Sequence, residues 1–163
     1  MTKQERIDII KKQVQSPINI DAYNNDTSIR DNTNCMAYAI GATFPYLQMY
    51  RLGAISDSKS LDEPYFSTQE LIKLLYKDLD ALELKYEKIF EDEEIDSNQY
   101  LIKLYALVYA DGRIGDFHFI RYDNGTWTEK RKRQNVSKIY DCHRYDRDWM
   151  YHHLLTLKIT RKG

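Results

Sequence analysis

Cys35 and His118 are the two side chains of this 163-residue chain whose types and surroundings could do chemistry together. A thiolate is the reactive form of cysteine, and a free cysteine near neutral pH is mostly protonated. The segment DNTNCMAYAIG (31–41) sets Asn32 or Asn34 as a helix cap and a helix-compatible run after it, with Gly41 as the stop. Cys35 then falls in the first turn, where unpaired amides and the helix dipole favour negative charge. Its own N–H would face a developing oxyanion, one of the donors acyl transfer needs. A second donor is expected from 17–34, with Asn32 the candidate and Asn34 beside it. The plainer alternative for Cys35 is a small buried hydrophobe. Cys142, in DCHRYDRD, reads as incidental.

His118 lies in DFHFIRYDNGTW, on a strand that runs into a turn. Asn124-Gly125 is the strongest short signal for a type I′ hairpin. It sets a register in which Asp123 pairs with Thr126, Tyr122 with Trp127, Arg121 with Thr128 and Ile120 with Glu129. Glu129 therefore shares the face of His118, one diagonal away, about 7–8 Å at the backbone and within reach of a long side chain. A carboxylate there could hold the second imidazole nitrogen and fix its tautomer. Asp116 and Tyr122 share the His118 face, whereas Phe117 and Phe119 point the other way, into a core. An ordinary cross-strand pair on a half-exposed sheet is the competing reading of His118 and Glu129.

The elements that must carry these residues come in two blocks. Helical patterning opens the chain: Thr2 and Glu5 form a capping box ahead of Ile7, Ile10 and Val14. Residues 15–31 are rich in Asn, Asp and Ser and read as irregular, and 43–66 as a segment wrapping the surface. Ser67 and Glu70 form a second box before a stripe of Leu71, Leu74, Leu75, Leu79 and Leu82. From there the period changes to two. Strands are predicted at 85–90, 100–110, 116–123, 126–133 and 154–161. Helices first and antiparallel strands after define an α+β class, a single domain over 1–163 with a sheet of about four to six strands.

Composition narrows the partners. Formal net charge is −1, which gives no global case for nucleic acid or an anionic membrane. The run KRKR (130–133) reads as a solvated strand edge rather than a phosphate-binding stripe. No stretch approaches the ~18 apolar residues of a membrane span. The charged amino terminus has no apolar signal core, which suggests a cytoplasmic protein whose two cysteines are thiols. Cys142-His143 with His152-His153 lacks the spacing of a zinc site, so no metal or other cofactor is expected. Phosphate-loop and serine-elbow motifs are absent from the sequence. The 14 tyrosines suit a half-wet groove.

A cysteine at a helix start, a later histidine on an antiparallel strand and a polar orienter on the next strand resemble the papain-like superfamily, nearest its compact bacterial NlpC/P60-type amidases and peptidases. More narrowly, NCMAYAIG (34–41) and DFHFIRYDNGTWTEK (116–130) resemble a family of small bacterial proteins. Its pattern is N-C-x-A-Y-A followed by D-[YF]-H-[FW]-x-R-x-D-x-x-G-x-W-[ST]-x-K. YRLGAIS (50–56) fits the segment after the first block, and the three cover roughly a fifth of the chain. The resemblance implies a papain-like fold and a Cys–His hydrolase, with thioester formation at Cys35 and His118 as base and then acid. Peptidase, amidase, deamidase or transglutaminase-like acyl transfer on a protein or peptide substrate all fit. Such relatives carry a histidine after W-[ST], where this chain has Glu129, which makes Glu129 the expected orienter in its place, ahead of Asp116 on the His118 face and Asp123 at the turn. Asp116, Tyr122 and Trp127 are expected to line the groove. The competing function is a catalytically silent binding or inhibitor module on the same fold, acting on a protein target, such as a phage anti-defence protein.

Overall fold

Thr2 opens the first helix as the sequence demands: its Oγ1 accepts the Glu5 N–H at 3.1 Å, and Glu5 returns the bond to the Thr2 N–H. In the computed structural model of the chain, which describes residues 1–140, 145 and 150–162, this helix is α1 (Lys3–Val14). The stretch read as irregular holds two short helices instead, α2 (Ile20–Asn25) and α3 (Thr27–Asp31). The polar residues that suggested a loop are their caps. Asn19 accepts the Ala22 N–H, and Asp26 accepts those of Ser28 and Ile29. Then comes α4 (Cys35–Ile40), capped by Asn34 and closed by Gly41 in the left-handed conformation, φ 78°.

The segment 43–66 lies only partly on the surface: 60–64 are exposed, but much of the rest is not. It forms a 3₁₀ turn at Leu47–Tyr50 and sends Met49, Tyr50, Leu52, Ile55 and Tyr65 into the core. Its apolar residues follow no regular period, so the pattern could not show which way they face. Buried Asp78, on α5 (Thr68–Ala81), holds the segment by accepting the N–H groups of Gly53 and Ser56 at 2.7 and 2.9 Å. Ser67 caps α5 as expected, while Glu70 reaches back one residue further than a capping box requires, to the Phe66 N–H.

The second half is one six-stranded antiparallel sheet. Its strands are β1 (Lys85–Ile89), β2 (Gln99–Val108), β3 (Ile114–Asp123), β4 (Thr126–Lys130), β5 (Val136–Lys138) and β6 (Tyr151–Thr160). They lie in the order β1-β6-β2-β3-β4-β5, so the last strand inserts between the first two. The molecule is thus α+β, with the helices packed on one face of the sheet. Met36, Ala39 and Ile40 of α4 join Phe119, Leu104 and Ile102 in the larger core. A smaller apolar cluster covers the other face, with Leu101, Tyr105, Ile120, Trp127, Ile139 and Tyr145.

The Asn124-Gly125 hairpin keeps the register read from sequence: Asp123 faces Thr126, Tyr122 faces Trp127 and Arg121 faces Thr128. Both turn residues have positive φ, 50° and 76°, as a type I′ turn requires. The fourth strand is shorter than expected. It stops at Lys130, and 131–134 turn back through a Gln134 N–H to Arg131 carbonyl bond before β5. No helix among the described residues is long and apolar enough to cross a membrane.

Candidate active site

The early end of β4 builds the site. Beyond Lys130, no strand among the described residues covers the outer edge of β3 from Ile114 to His118. The amino end of α4 comes to that edge. Asn34 fixes it twice: its Oδ1 accepts the Ala37 N–H at 3.0 Å, and its Nδ2 donates to the Tyr50 carbonyl at 3.0 Å. The second bond explains why the 50–56 segment accompanies the cysteine block. Cys35 follows in the first helical turn, with its Sγ 3.9 Å from the Phe117 carbonyl oxygen, and it lines the same cleft as the His118 imidazole, whose charged form it favours. The thiol and the imidazole thus come from opposite layers and meet around the edge of one strand.

Glu129 holds the far side of the ring. Its Oε1 lies 2.8 Å from His118 Nε2, accepts the Tyr145 hydroxyl at 2.6 Å and takes the Arg131 Nε–H at 3.2 Å. Burial alone would raise the Glu129 carboxyl. The bonds from His118 and Tyr145, with the charges of His118 and Arg131, outweigh it and hold the group below the ordinary carboxylate range. A carboxylate cannot donate, so Nε2 carries a hydrogen toward Glu129, and Nδ1 is the nitrogen left to exchange a proton with the thiol. Burial pushes His118 down, but the hydrogen bonds and charges of Cys35 and Glu129 prevail, and its pKa is raised to about 9.

Cys35 and His118 open into a cleft of about 560 Å³ that Asn34, Asp116, Arg131 and Tyr145 also line. Asp116 stands at its mouth, where its Oδ2 accepts the Tyr151 hydroxyl at 3.0 Å. The other expected residues are placed differently. Asn32 is exposed and spends its side-chain amide on the Ser28 carbonyl at 2.8 Å, which turns it back into α3 rather than toward the thiol. Asn34 lines the cleft but both ends of its amide are already bonded. Tyr122 and Trp127 pack against each other with tilted rings, centroids 5.2 Å apart, over a separate hollow of about 280 Å³ beside Asp92, Glu93 and Glu94. Four residues along a strand is about 13 Å, so sharing the His118 face did not bring Tyr122 to the groove.

Several groups whose roles the sequence did not show carry the site, although Arg121 and Lys130 are positions of the family pattern. Tyr145 lies in the stretch read as incidental, and only the third dimension brings it to Glu129. Lys130, expected on a solvated edge with the rest of KRKR, is fully buried and donates to the carbonyls of Arg30, Thr33 and Lys132. Arg121, 1 % exposed, ties β3 to α4: Nη1 donates to the Ala39 carbonyl at 3.0 Å, Asp123 balances its charge, and its guanidinium stacks 3.6 Å from the Tyr100 ring centroid. Cys142 and His143 lie outside the described residues. Among the described residues no cluster of three or more His, Cys, Asp or Glu is arranged to hold a metal. Comparison with family models, with curated proteins and with solved structures finds no match to this chain.

Proposed function

We propose that this chain is a papain-like cysteine hydrolase that cleaves an amide or ester of a protein or peptide through Cys35, His118 and Glu129. The observation that carries the reading is the meeting of Cys35 and His118 in one cleft, with the Glu129 carboxylate bonded to the far side of the ring. In the reacting form the proton of Cys35 already sits on His118, an imidazolium against Glu129, and the sulfur attacks the acyl carbon. The Cys35 amide, in a first turn where helical geometry supplies no backbone acceptor, faces the oxyanion. His118 then gives the proton to the departing amine or alcohol as the carbon–leaving-group bond breaks, which leaves a thioester. Water, deprotonated by the same ring, adds to the thioester and releases the acid as the thiol takes back its proton. Glu129 holds the tautomer throughout and balances the ring's charge, the role the family pattern gives to a histidine.

The test uses p-nitrophenyl acetate, which offers an acyl group without demanding a specificity pocket. The wild-type protein should acquire one acetyl group on Cys35 and none on Cys142. Cys35→Ala should abolish the labelling, and His118→Ala should slow it by about 10²–10⁴-fold, the usual worth of a positioned base. Acetylation scattered over surface lysines at a rate Cys35→Ala does not change would instead favour a binding module on this fold.

A further inference from the structure

We propose that Lys130 is the positioning residue of the nucleophile: from the end of β4 its ammonium group clamps the loop that delivers Cys35 and sets a buried positive charge at the amino end of α4. The inference rests on the reading of Cys35 as the nucleophile. Three observations lead to it. Lys130 is 0 % exposed, an uncommon place for a lysine. Its Nζ spends its hydrogens on backbone carbonyls, Arg30 and Thr33 at 2.7 Å each and Lys132. Among the described residues, no carboxylate is bonded to it to neutralise it.

The acceptors are informative. Arg30 sits in α3 and Thr33 lies two residues before Cys35, so one cation fixes the whole α3–α4 turn against the strand that also carries Glu129. Thr33 itself is buried, and its hydroxyl is committed to the Ile29 carbonyl at 2.6 Å, so the turn has no slack of its own. Lys130 therefore sets where the sulfur stands relative to the ring that Glu129, the adjacent residue, holds in place.

A purely structural staple would do this with any donor. The charge is what adds a chemical role. The groups that face Lys130 electrostatically are Cys35 from α4 and Asp31 and Arg30 from α3. Burial outweighs the pull of negative charge at Cys35 and Asp31, which Arg30 opposes, and leaves Lys130 lowered to about 8. Coupling between two sites is reciprocal. If a thiolate at Cys35 favours the ammonium, then the ammonium favours the thiolate.

The experiment is the pH profile of Cys35 alkylation by iodoacetamide, read by peptide mass mapping in folded protein. Relative to wild type, Lys130→Met should lower the rate at pH 6 about tenfold and move the lower inflection up by about one pH unit, the equivalent of one lost favourable charge. Lys138→Met, which removes an exposed lysine from β5, should leave the profile unchanged. A folded Lys130→Met protein with the wild-type profile would overturn the inference. A second measurement does not depend on that variant folding. The Lys130 side-chain resonance, followed by NMR against pH, should titrate lower in Cys35→Ala than in wild type, and an unchanged midpoint would also overturn it. The two readings fail separately. Wild-type Cys35 that reacts no faster at pH 6 than in the unfolded chain sinks the nucleophile itself, whereas a fast wild type indifferent to Lys130 sinks only this step.

Discussion

Glu129 Oε1 stands 2.8 Å from His118 Nε2 across the β3–β4 hairpin, and the same oxygen also takes the Tyr145 hydroxyl and the Arg131 Nε–H. One carboxylate oxygen therefore anchors a ring, a phenol and a guanidinium. Glu129 thus ties together, from behind the cleft, three groups that line it, His118, Arg131 and Tyr145.

Glu129→Ala leaves those three donors facing a void. The expected cost is about 3 kcal/mol, the lower end for removing one partner of a buried charge pair, and is read from the midpoint of urea unfolding. Glu129→Gln keeps an acceptor and should cost less. Both should slow p-nitrophenyl acetate turnover, because an amide no longer balances the imidazolium.

Stability should be greatest between about pH 5 and pH 6.5, above the ordinary Glu value and below the unfolded His value. His118 is raised from 6.5 to about 9, so its contribution is full below 6.5 and is lost as pH rises through about 9. Glu129 is lowered, so its contribution is present above its ordinary value and is lost as pH falls through the depressed one. The His118 side amounts to about 3 kcal/mol, since a tenfold change in proton affinity is worth about 1.4 kcal/mol. Urea midpoints across the range should show the alkaline fall, and His118→Gln should flatten it.

Arg121→Lys should destabilise by about 2 kcal/mol despite keeping the charge. An ammonium cannot meet the Ala39 carbonyl and Asp123 together while lying flat on the Tyr100 ring. Thermal unfolding measures the loss. Because the Ala39 bond joins α4 to β3, acyl transfer should weaken in the same variant even where it is folded.

Asn34→Ala removes the cap of α4 and the tie to Tyr50 together. A cap is worth about 1 kcal/mol and a buried hydrogen bond about as much again, so about 2 kcal/mol is expected on thermal unfolding. Asn34→Asp restores the cap but not the donor to the Tyr50 carbonyl, and should recover about half.

Local rules made part of the molecule legible before any coordinates. Asn124-Gly125 fixed the hairpin, and the hairpin put Glu129 on the His118 face; the turn chemistry and the period of two left no other register. The boxed caps of α1 and α5 were equally local. What stayed hidden depended on contacts far apart in sequence. The two short helices before Cys35 were masked because Asn19 and Asp26 cap helices with the same chemistry that makes turns. Lys130 looked like one of four solvated cations, since nothing in KRKR says that the α3–α4 turn folds over it. Tyr122 and Trp127 had the right face but the wrong distance along the strand, and a period of two reports only the former.

The central claim, that Cys35 is a nucleophile prepared by His118, is tested most directly by one comparison: the iodoacetamide alkylation rate of Cys35 at pH 6 in the folded protein and in urea, with Cys142 as internal reference. An ordinary thiol is almost wholly protonated at that pH. The folded protein should react at Cys35 at least about tenfold faster than the unfolded chain, with the advantage lost in His118→Ala. A folded-state rate below the unfolded one, untouched by His118→Ala, would contradict it and leave Cys35 a buried thiol with no chemistry of its own.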